Sequence, residues 1–256
     1  MGLSLEDVAD SFCRGFCYTK SVTHPYEYHR YRELRIMRDA PRKSGDYRKE
    51  EVVVVGLSPD EACEQLRELK LGRFFVCPID PVGADYEGTK EAYKRNHFRK
   101  LGSEPMFVRA TRDVPRSESP FPISRVTTPE GAEQVRLAAG SRQIVPADLH
   151  GGEANLRLYA AFDGIRPVAW VKSIRTGPDS AWVSNLHVNS EHRRKGLGRA
   201  IMAEMLVDDH AYGIEWSVLA ASSVGAKLYD SIGYEEVGFM QILAPVKERW
   251  GIQPYR

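Results

Sequence analysis

Apolar positions in this chain recur with two periods, and the places where the period changes mark its elements. Val8, Phe12 and Phe16 fall four apart, the spacing of one helix face. Ser4 ahead of Glu6 and Asp7 supplies an N-cap and acids for the first turn, so a helix is predicted from Ser4 to about Tyr18. Between His24 and Arg38, Tyr26, Tyr28 and Tyr31 stand among Arg30, Arg32, Arg35 and Arg38. This predicts a strand with its arginines on the wet face. Glu51 to Val55 is a plain buried strand. Ser58-Pro59-Asp60-Glu61 is a strong helix start: Ser58 caps, Pro59 takes the first helical position and Glu61 closes a capping box. Ala62, Leu66 and Leu69 form its buried stripe, and Gly72 ends it. A strand over 73–77, a loop over 80–85, a helix over 87–96 and a strand over 104–109 complete the first half. Pro115, Pro120 and Pro122 among Ser117, Glu118 and Ser119 have the composition of a linker. The domain boundary is placed at 111–122, between a domain over 1–110 and a second over 123–247.

The second half opens with a short strand over 123–127. Thr128-Pro129-Glu130 then starts a helix that runs to about Gly140, and a second helical turn is predicted at 146–149. Two strands, 156–162 and 167–174, flank Asp163-Gly164, a hairpin turn signal. A third strand covers 181–188. A glycine-containing turn and a helix with Leu197, Ile201 and Met205 on its buried face follow. A strand over 215–219, a short helix through Val224, Leu228 and Ile232, and strand material over 234–243 close the chain. The order is β, α, α, β, β, β, α, β, α, β.

Composition narrows the class. The chain has 256 residues, 42% of them hydrophobic and 28% charged, with a formal net charge of +1. A near-neutral balance gives no global field for nucleic acid or an anionic membrane, and no apolar run approaches a membrane span. Acids near Met1 leave no expectation of a signal peptide. Cys13, Cys17, Cys63 and Cys77 are scattered, which points to a reducing, cytoplasmic setting. Cys13 and Cys17 with His24 or His29 could form half of a zinc site, but small buried residues on one helix face are the simpler reading, and no metal is expected. The aromatic, basic stretch at 24–38 could bind single-stranded nucleic acid, yet Glu27, Glu33 and Asp39 break up its charge. No nucleic-acid or membrane partner is expected.

The candidate chemistry sits at Arg193-Arg194-Lys195-Gly196-Leu197-Gly198-Arg199. A strand, a glycine turn and a helix present unpaired N–H groups to an anion at the positive end of the helix dipole. Arg193, Arg194, Lys195 and Arg199 add cations at the same point, and Gly196 and Gly198 permit close approach. The run is neither a Walker loop nor the dinucleotide-binding Gly-x-Gly-x-x-Gly.

Arg193-x-x-Gly196-x-Gly198 resembles motif A of the GNAT (GCN5-related N-acetyltransferase) family. Ala226-Lys-Leu-Tyr229-Asp-Ser-Ile-Gly233-Tyr234 is similar to a second signature of the same family, and the element order from 123 to 247 is the family's order. The resemblance implies a mixed α/β GNAT fold with a central twisted sheet, beside a smaller N-terminal α/β domain. It implies acetyl-CoA as cosubstrate, lying between two splayed strands. Leu186-His187-Val188 would then pair with the pantetheine arm and the Val188 N–H would polarise the thioester carbonyl. The N–H groups from Arg194 to Arg199, including Leu197, would hold the pyrophosphate. Tyr229 would protonate the leaving thiolate, with the alternative that it is a packing aromatic. Ser223 stands where the family commonly has Asn. The base is open: relatives carry a Glu near Trp182, Val183 and Ser184, and His187, or a water chain through Ser184 or Asn185, could act instead.

Tyr93 to Gly102 aligns without gaps on Tyr229 to Gly238, although only the Tyr and the Gly are identical. This weak repeat suggests that the first half is a degenerate copy whose Gly56 to Glu61 turn has lost its cations. The leading expectation is an N-acetyltransferase acting on a primary amine of a small molecule or peptide. The rival is a non-catalytic acyl-CoA sensor or partner-binding module.

Overall fold

The computed structural model describes residues 2–43, 45–115, 117–149, 154–222, 225–246 and 250. Two compact units are present: Met1–Phe107 with Ala220–Val224 and Glu236–Arg256, and Val108–Leu219 with Gly225–Glu235. The proline-bearing segment 111–122 therefore lies inside the second unit, and the C-terminal strand belongs to the first.

In the first unit, α1 (Leu5–Lys20) leads to a hairpin of β1 (Tyr26–Tyr31) and β2 (Leu34–Asp39), followed by β3 (Glu50–Val54), α2 (Pro59–Glu68), β4 (Phe74–Pro81), α3 (Tyr86–Arg95) and β5 (Phe98–Ala110). Its strands run in the order β1-β2-β3-β4-β11-β5, where β11 is Glu235–Pro245. β3 and β4 are parallel, and β11 is antiparallel to β4. The capping boxes of Ser4 with Asp7 and Ser58 with Glu61 both form, so α1 and α2 start where the sequence places them.

The stretch 24–38 departs from its reading as one strand. Arg32 takes a left-handed φ of 52° and folds it into a hairpin; an Arg-Glu pair carries none of the usual turn chemistry. Its charges are also consumed internally. Arg35 is 1% exposed and ion-paired to Glu6 and Asp10. Tyr28 donates to Asp10 at 3.0 Å and Tyr31 to Glu68 at 2.7 Å. Cys13 and Cys17 are buried, and His24 faces the carbonyl of Ala40.

In the second unit, β6 (Ile123–Arg125), α4 (Pro129–Ala139) and a 3-10 turn (Pro146–Asp148) precede β7 (Leu156–Asp163), β8 (Arg166–Arg175) and β9 (Ser180–Val188). Another 3-10 turn (Ser190–His192), α5 (Leu197–Ala211), β10 (Trp216–Ala220) and α6 (Ala226–Asp230) follow. The strand order is β10-β9-β8-β7-β6. The Asp163-Gly164 hairpin forms as read, with Gly164 at φ 60°.

Directly opposed residues share a face of a sheet, so the pairing registers sort this unit into two faces. One carries Arg157, Ser173 and Val183 beneath α5. There Arg157 is ion-paired to Asp209, and Ser173 donates to the same carboxylate at 2.8 Å. Asp209 is fully buried, and burial pushes its carboxyl above the usual range although Arg157 works the other way. The network ties α5 to β7 and β8. The other face carries Leu156, Leu158, Trp170, Lys172, Ile174, Trp182, Ser184 and His187. It is apolar except for Lys172, Ser184 and His187.

Candidate functional site

The site begins with a broken pairing. β9 and β10 are joined in parallel only at Ala181, its neighbour Ser180, and Trp182, opposite Ser217, Trp216 and Val218. Beyond Val218, β9 continues to Val188 with β8 on one side and, among the described residues, no registered partner on its other edge. Two parallel strands that separate in mid-sheet leave backbone donors and acceptors of β9 facing an opening.

Which groups face that opening follows from the register. Asn189 N–H donates to Val168 O at 2.9 Å, one residue beyond the Val188–Ala169 pair. Val188 and Ala169 are therefore a non-hydrogen-bonded pair, and the N–H and C=O of Val188 point away from β8. Between Ser184 and His187 the register shifts, with two residues of β9 set against Val171 alone. Asn185 takes φ 55° in this bulge, and its amide donates to Gln143 Oε1 at 2.6 Å. A bulge moves the open-edge role from one set of alternate residues to the other. Before it that edge belongs to Ala181 and Val183; after it, to Val188. The bulge and its Asn185–Gln143 bond break the plain strand expected over 181–188. The signal was an asparagine, tolerant of left-handed backbone, inside an otherwise apolar strand.

The turn after β9 supplies the cations. Arg194 and Gly196 take φ 64° and 78°, and Gly196 is the N-cap of α5. The starts of α1, α2, α3 and α4 are each closed by a side-chain acceptor, from Ser4, Ser58, Asp85 and Thr128. α5 has no side-chain cap and no acid in its first turn, so its first N–H groups meet no side-chain acceptor of their own helix start. Arg194, Lys195 and Arg199 are exposed, and among the described residues none is in an ion pair. Arg193 is used differently: its Nε donates to Val188 O at 3.0 Å and folds the turn back on the end of β9.

The two glycines serve different ends. At Gly196 the requirement is the left-handed backbone, since a Cβ there would meet nothing within 4 Å. At Gly198 it is packing: a Cβ would lie 3.3 Å from Leu228 Cδ2 and 3.7 Å from Val188 Cγ2. Gly198 thus lets α5 start against both β9 and α6, and Leu197 is buried at the same point.

Tyr229 lies on α6, 8% exposed, with its ring edge-on to Tyr234 at 5.6 Å. Tyr234 is fixed in turn by Ser217 at 2.7 Å. Burial pushes the Tyr229 phenol up to about 12, so it keeps its proton throughout the neutral range. Leu186 and Val188 are half-buried. His187 stacks on Trp170 at 4.3 Å with planes 16° apart, and its Nε2 is 3.2 Å from Asn189 Oδ1. Its ring lines a shallow hollow with Ala138, Arg166, Asn189, Ser190, Glu191 and Arg193. Because Ala138 lies in the last turn of α4, α4 and His187 share the face away from α5. Ser223 lies outside the described residues.

The family model described as Acetyltransferase (GNAT) domain matches residues 154–236. No curated protein matches the chain by sequence. Among solved structures, a GCN5-related N-acetyltransferase from Kribbella flavida superposes with a TM-score of 0.68 at 16% identity, covering 96% of each chain. One from Sphaerobacter thermophilus gives 0.54 at 14%, over 82% of this chain and 76% of that one. A tandem GNAT protein from the clavulanic acid biosynthesis pathway gives 0.52 at 13%, over 82% and 78%. At such identities the likeness is one of fold. Residues 154–236 match a GNAT domain, within a mixed α/β fold that matches those GNAT structures.

Proposed function

We propose that the protein transfers an acetyl group from acetyl-CoA to a primary amine of a small-molecule or peptide acceptor. The observation that carries this reading is the open edge of β9, with the Val188 N–H turned into it, running into the uncapped, cation-flanked start of α5. An added strand-like ligand is bound by such an edge, and a pyrophosphate by such a helix start. Coenzyme A has both parts. Val188 would donate to the thioester oxygen as negative charge develops there. Leu186 would border the pantetheine arm, and the N–H groups of Gly196, Leu197, Gly198 and Arg199 would hold the pyrophosphate with Arg194 and Lys195. Tyr229 would return a proton to the sulfur. Arg193 would act by holding the Val188 carbonyl. Ser223 remains a candidate contact on sequence grounds.

The proton acceptor is the open part. His187 is the sequence's candidate. An Nε2–H donating to Asn189 would leave Nδ1 with the ring's lone pair. His187→Gln should remove the acid limb of the rate profile if the ring is the base. A retained limb assigns the proton elsewhere.

We also propose that the first half is a GNAT-like copy without a cofactor site. Both halves run parallel strand, helix, strand, then a helix bearing a buried tyrosine, Tyr93 or Tyr229. In the first half, however, β3 pairs with β4 from Glu50 through Val54 without a break, and Ser58 and Glu61 satisfy the start of α2. Among the described residues, neither a break in that pairing nor an uncapped start of α2 is found, which supports this reading. A cytoplasmic setting fits the four free, buried cysteines.

The second reading, an acyl-CoA sensor, is favoured by the lack of a carboxylate near Trp182, Val183 and Ser184 on β9. Thiol release from acetyl-CoA across a panel of amines separates the two. Turnover with any amine removes the sensor reading. Tight binding without turnover removes the enzyme.

A further inference from the structure

Three lysine or arginine side chains are buried among the described residues: Arg35, Arg157 and Lys172, at 1%, 1% and 3% exposure. The two arginines are neutralised. Arg35 meets Glu6 and Asp10, and Arg157 meets Asp209. Lys172 has no ion pair and no hydrogen bond to any described residue. A buried ammonium without a counter-charge is costly, and such a group sheds its proton instead.

Its position gives this a use. Lys172 stands on β8 opposite Ser184 of β9 and Leu158 of β7. Trp170 and Ile174 are its neighbours along β8 on the same face, and Trp182 and His187 lie diagonally on β9. Ser184 belongs to the stretch of β9, Trp182 to Ser184, that carries no carboxylate. An amine that gives up its proton more readily than an ordinary lysine thus stands one strand away from the segment lacking a carboxylate base, on the face that also carries His187.

Resting on the acyltransferase reading, we propose that Lys172 is the proton acceptor for the incoming amine, replacing the absent carboxylate. The neutral Nζ takes one proton from the acceptor's ammonium and becomes an ammonium itself. The freed amine forms the N–C bond to the thioester carbon, the C–S bond breaks, and the sulfur receives the Tyr229 proton. The second proton of the attacking nitrogen restores Tyr229, and Lys172 then loses its own to water. Overall, an ammonium and a thioester give an amide, a thiol and one released proton.

Burial lowers the Lys172 ammonium to about 8, where its neutral form is populated at working pH. The groups facing it are few. β7 contributes Leu158, and β9 contributes Ser184 and the titratable His187. On α4, Glu133 and Arg136 pair with each other, and Glu130 is exposed. Asp148 of the 3-10 turn accepts from Leu156 N–H at 3.3 Å. Asp208 and Asp209 are on α5, against the other face, engaged by Tyr159 and Arg157.

The test pairs a direct titration with kinetics. Full-length protein is reductively methylated with 13C-formaldehyde, and the Lys172 signal, assigned through Lys172→Arg, is followed with pH. Rates are measured for wild type, Lys172→Met and Lys172→Arg. The expected results are titration near 8, a wild-type limb in kcat/KM at the same pH, and loss of that limb with about 100-fold lower activity in both variants. Coenzyme A affinity should stay within about twofold, which shows that the variants are folded. Rescue by Lys172→Arg would overturn the proposal, because a guanidinium keeps the charge but cannot take a proton. So would titration at about 10, the ordinary value, in an active wild type. A wild type that binds coenzyme A yet transfers to no amine fails the acyltransferase reading and this one with it. Titration near 8 in such a protein would show that the group is perturbed for another purpose.

Discussion

Tyr229 and Lys172 are both buried, yet burial moves them in opposite directions, because it disfavours the charged form of each. For Lys172 the folded value, about 8, lies below its ordinary 10.5. Between those values the unfolded chain binds the extra proton, so stability rises with pH across that window. The contribution is full above about 10.5 and is lost as pH falls through 8; its size is roughly 3 kcal/mol. Denaturant unfolding of wild type and Lys172→Met at several pH values should show the rise in wild type alone. Equal slopes would mean the lysine is not desolvated. Tyr229→Phe should lower turnover by 10-fold or more while leaving acetyl-CoA affinity unchanged, since the hydroxyl acts on the departing sulfur. A wild-type rate, with chemistry limiting, would leave Tyr229 as a packing aromatic against Tyr234. These residues differ in how far the sequence exposed them. Tyr229 sits in a recognisable signature. Lys172 sits in an apolar run, and only the register shows that no carboxylate opposes it.

At the scale of elements, the start of α5 and the bulge of β9 carry the binding argument. Gly198→Asp is a poor probe of either, because Leu228 lies 3.3 Å from where a Cβ would go, so lost binding could be lost packing. Charge reversal at Arg194, Lys195 and Arg199 leaves the backbone alone. The triple glutamate variant should bind coenzyme A at least 100-fold more weakly, with a shallower dependence on salt, while melting normally. Unchanged affinity by calorimetry would remove the pyrophosphate from this turn. In the bulge, Asn185→Gly should be tolerated. Asn185→Val forces a β-branched residue to φ 55° and should cost roughly 1–2 kcal/mol, with weaker cofactor binding as Val188 shifts. A valine variant with wild-type stability and affinity would mean the bulge does not set that N–H. Capping boxes, hairpin turn and glycine turn were all legible, because each is fixed by residues within four positions of one another. The bulge, the folding-back of Arg193 and the hairpin at Arg32 were not, because their causes lie across strands or in an unusual turn residue.

At the scale of the molecule, composition suggested two domains divided at a linker, and the strand order gives a different division. β11 comes from the C-terminal end of the chain but pairs with β4, with Gly238 opposite Pro81 and Leu243 opposite Val76. Gly238 is buried in that pairing, and a Cβ there would lie 2.8 Å from Asp80 O, so the two backbones are tightly matched. In the other direction, the second unit uses residues ahead of the linker: Arg109 holds the Ile232 carbonyl, and Thr111 N–H donates to Glu215 O at 2.9 Å. A sequence reader places boundaries where composition changes, whereas strand exchange is decided by pairings more than 100 residues apart. Each unit therefore needs chain from beyond the apparent linker. We predict that neither 1–110 nor 111–256 folds alone: the first lacks the strand that pairs with β4, and the second lacks Arg109 and leaves β11 without β4. Full-length protein lacking 235–256 should lose amide-exchange protection along Val76 to Asp80, because a strand without its neighbour exposes its N–H groups. Cooperative unfolding of isolated 111–256, with coenzyme A affinity intact, would show the second unit to be self-sufficient and the exchanged strand dispensable to the site.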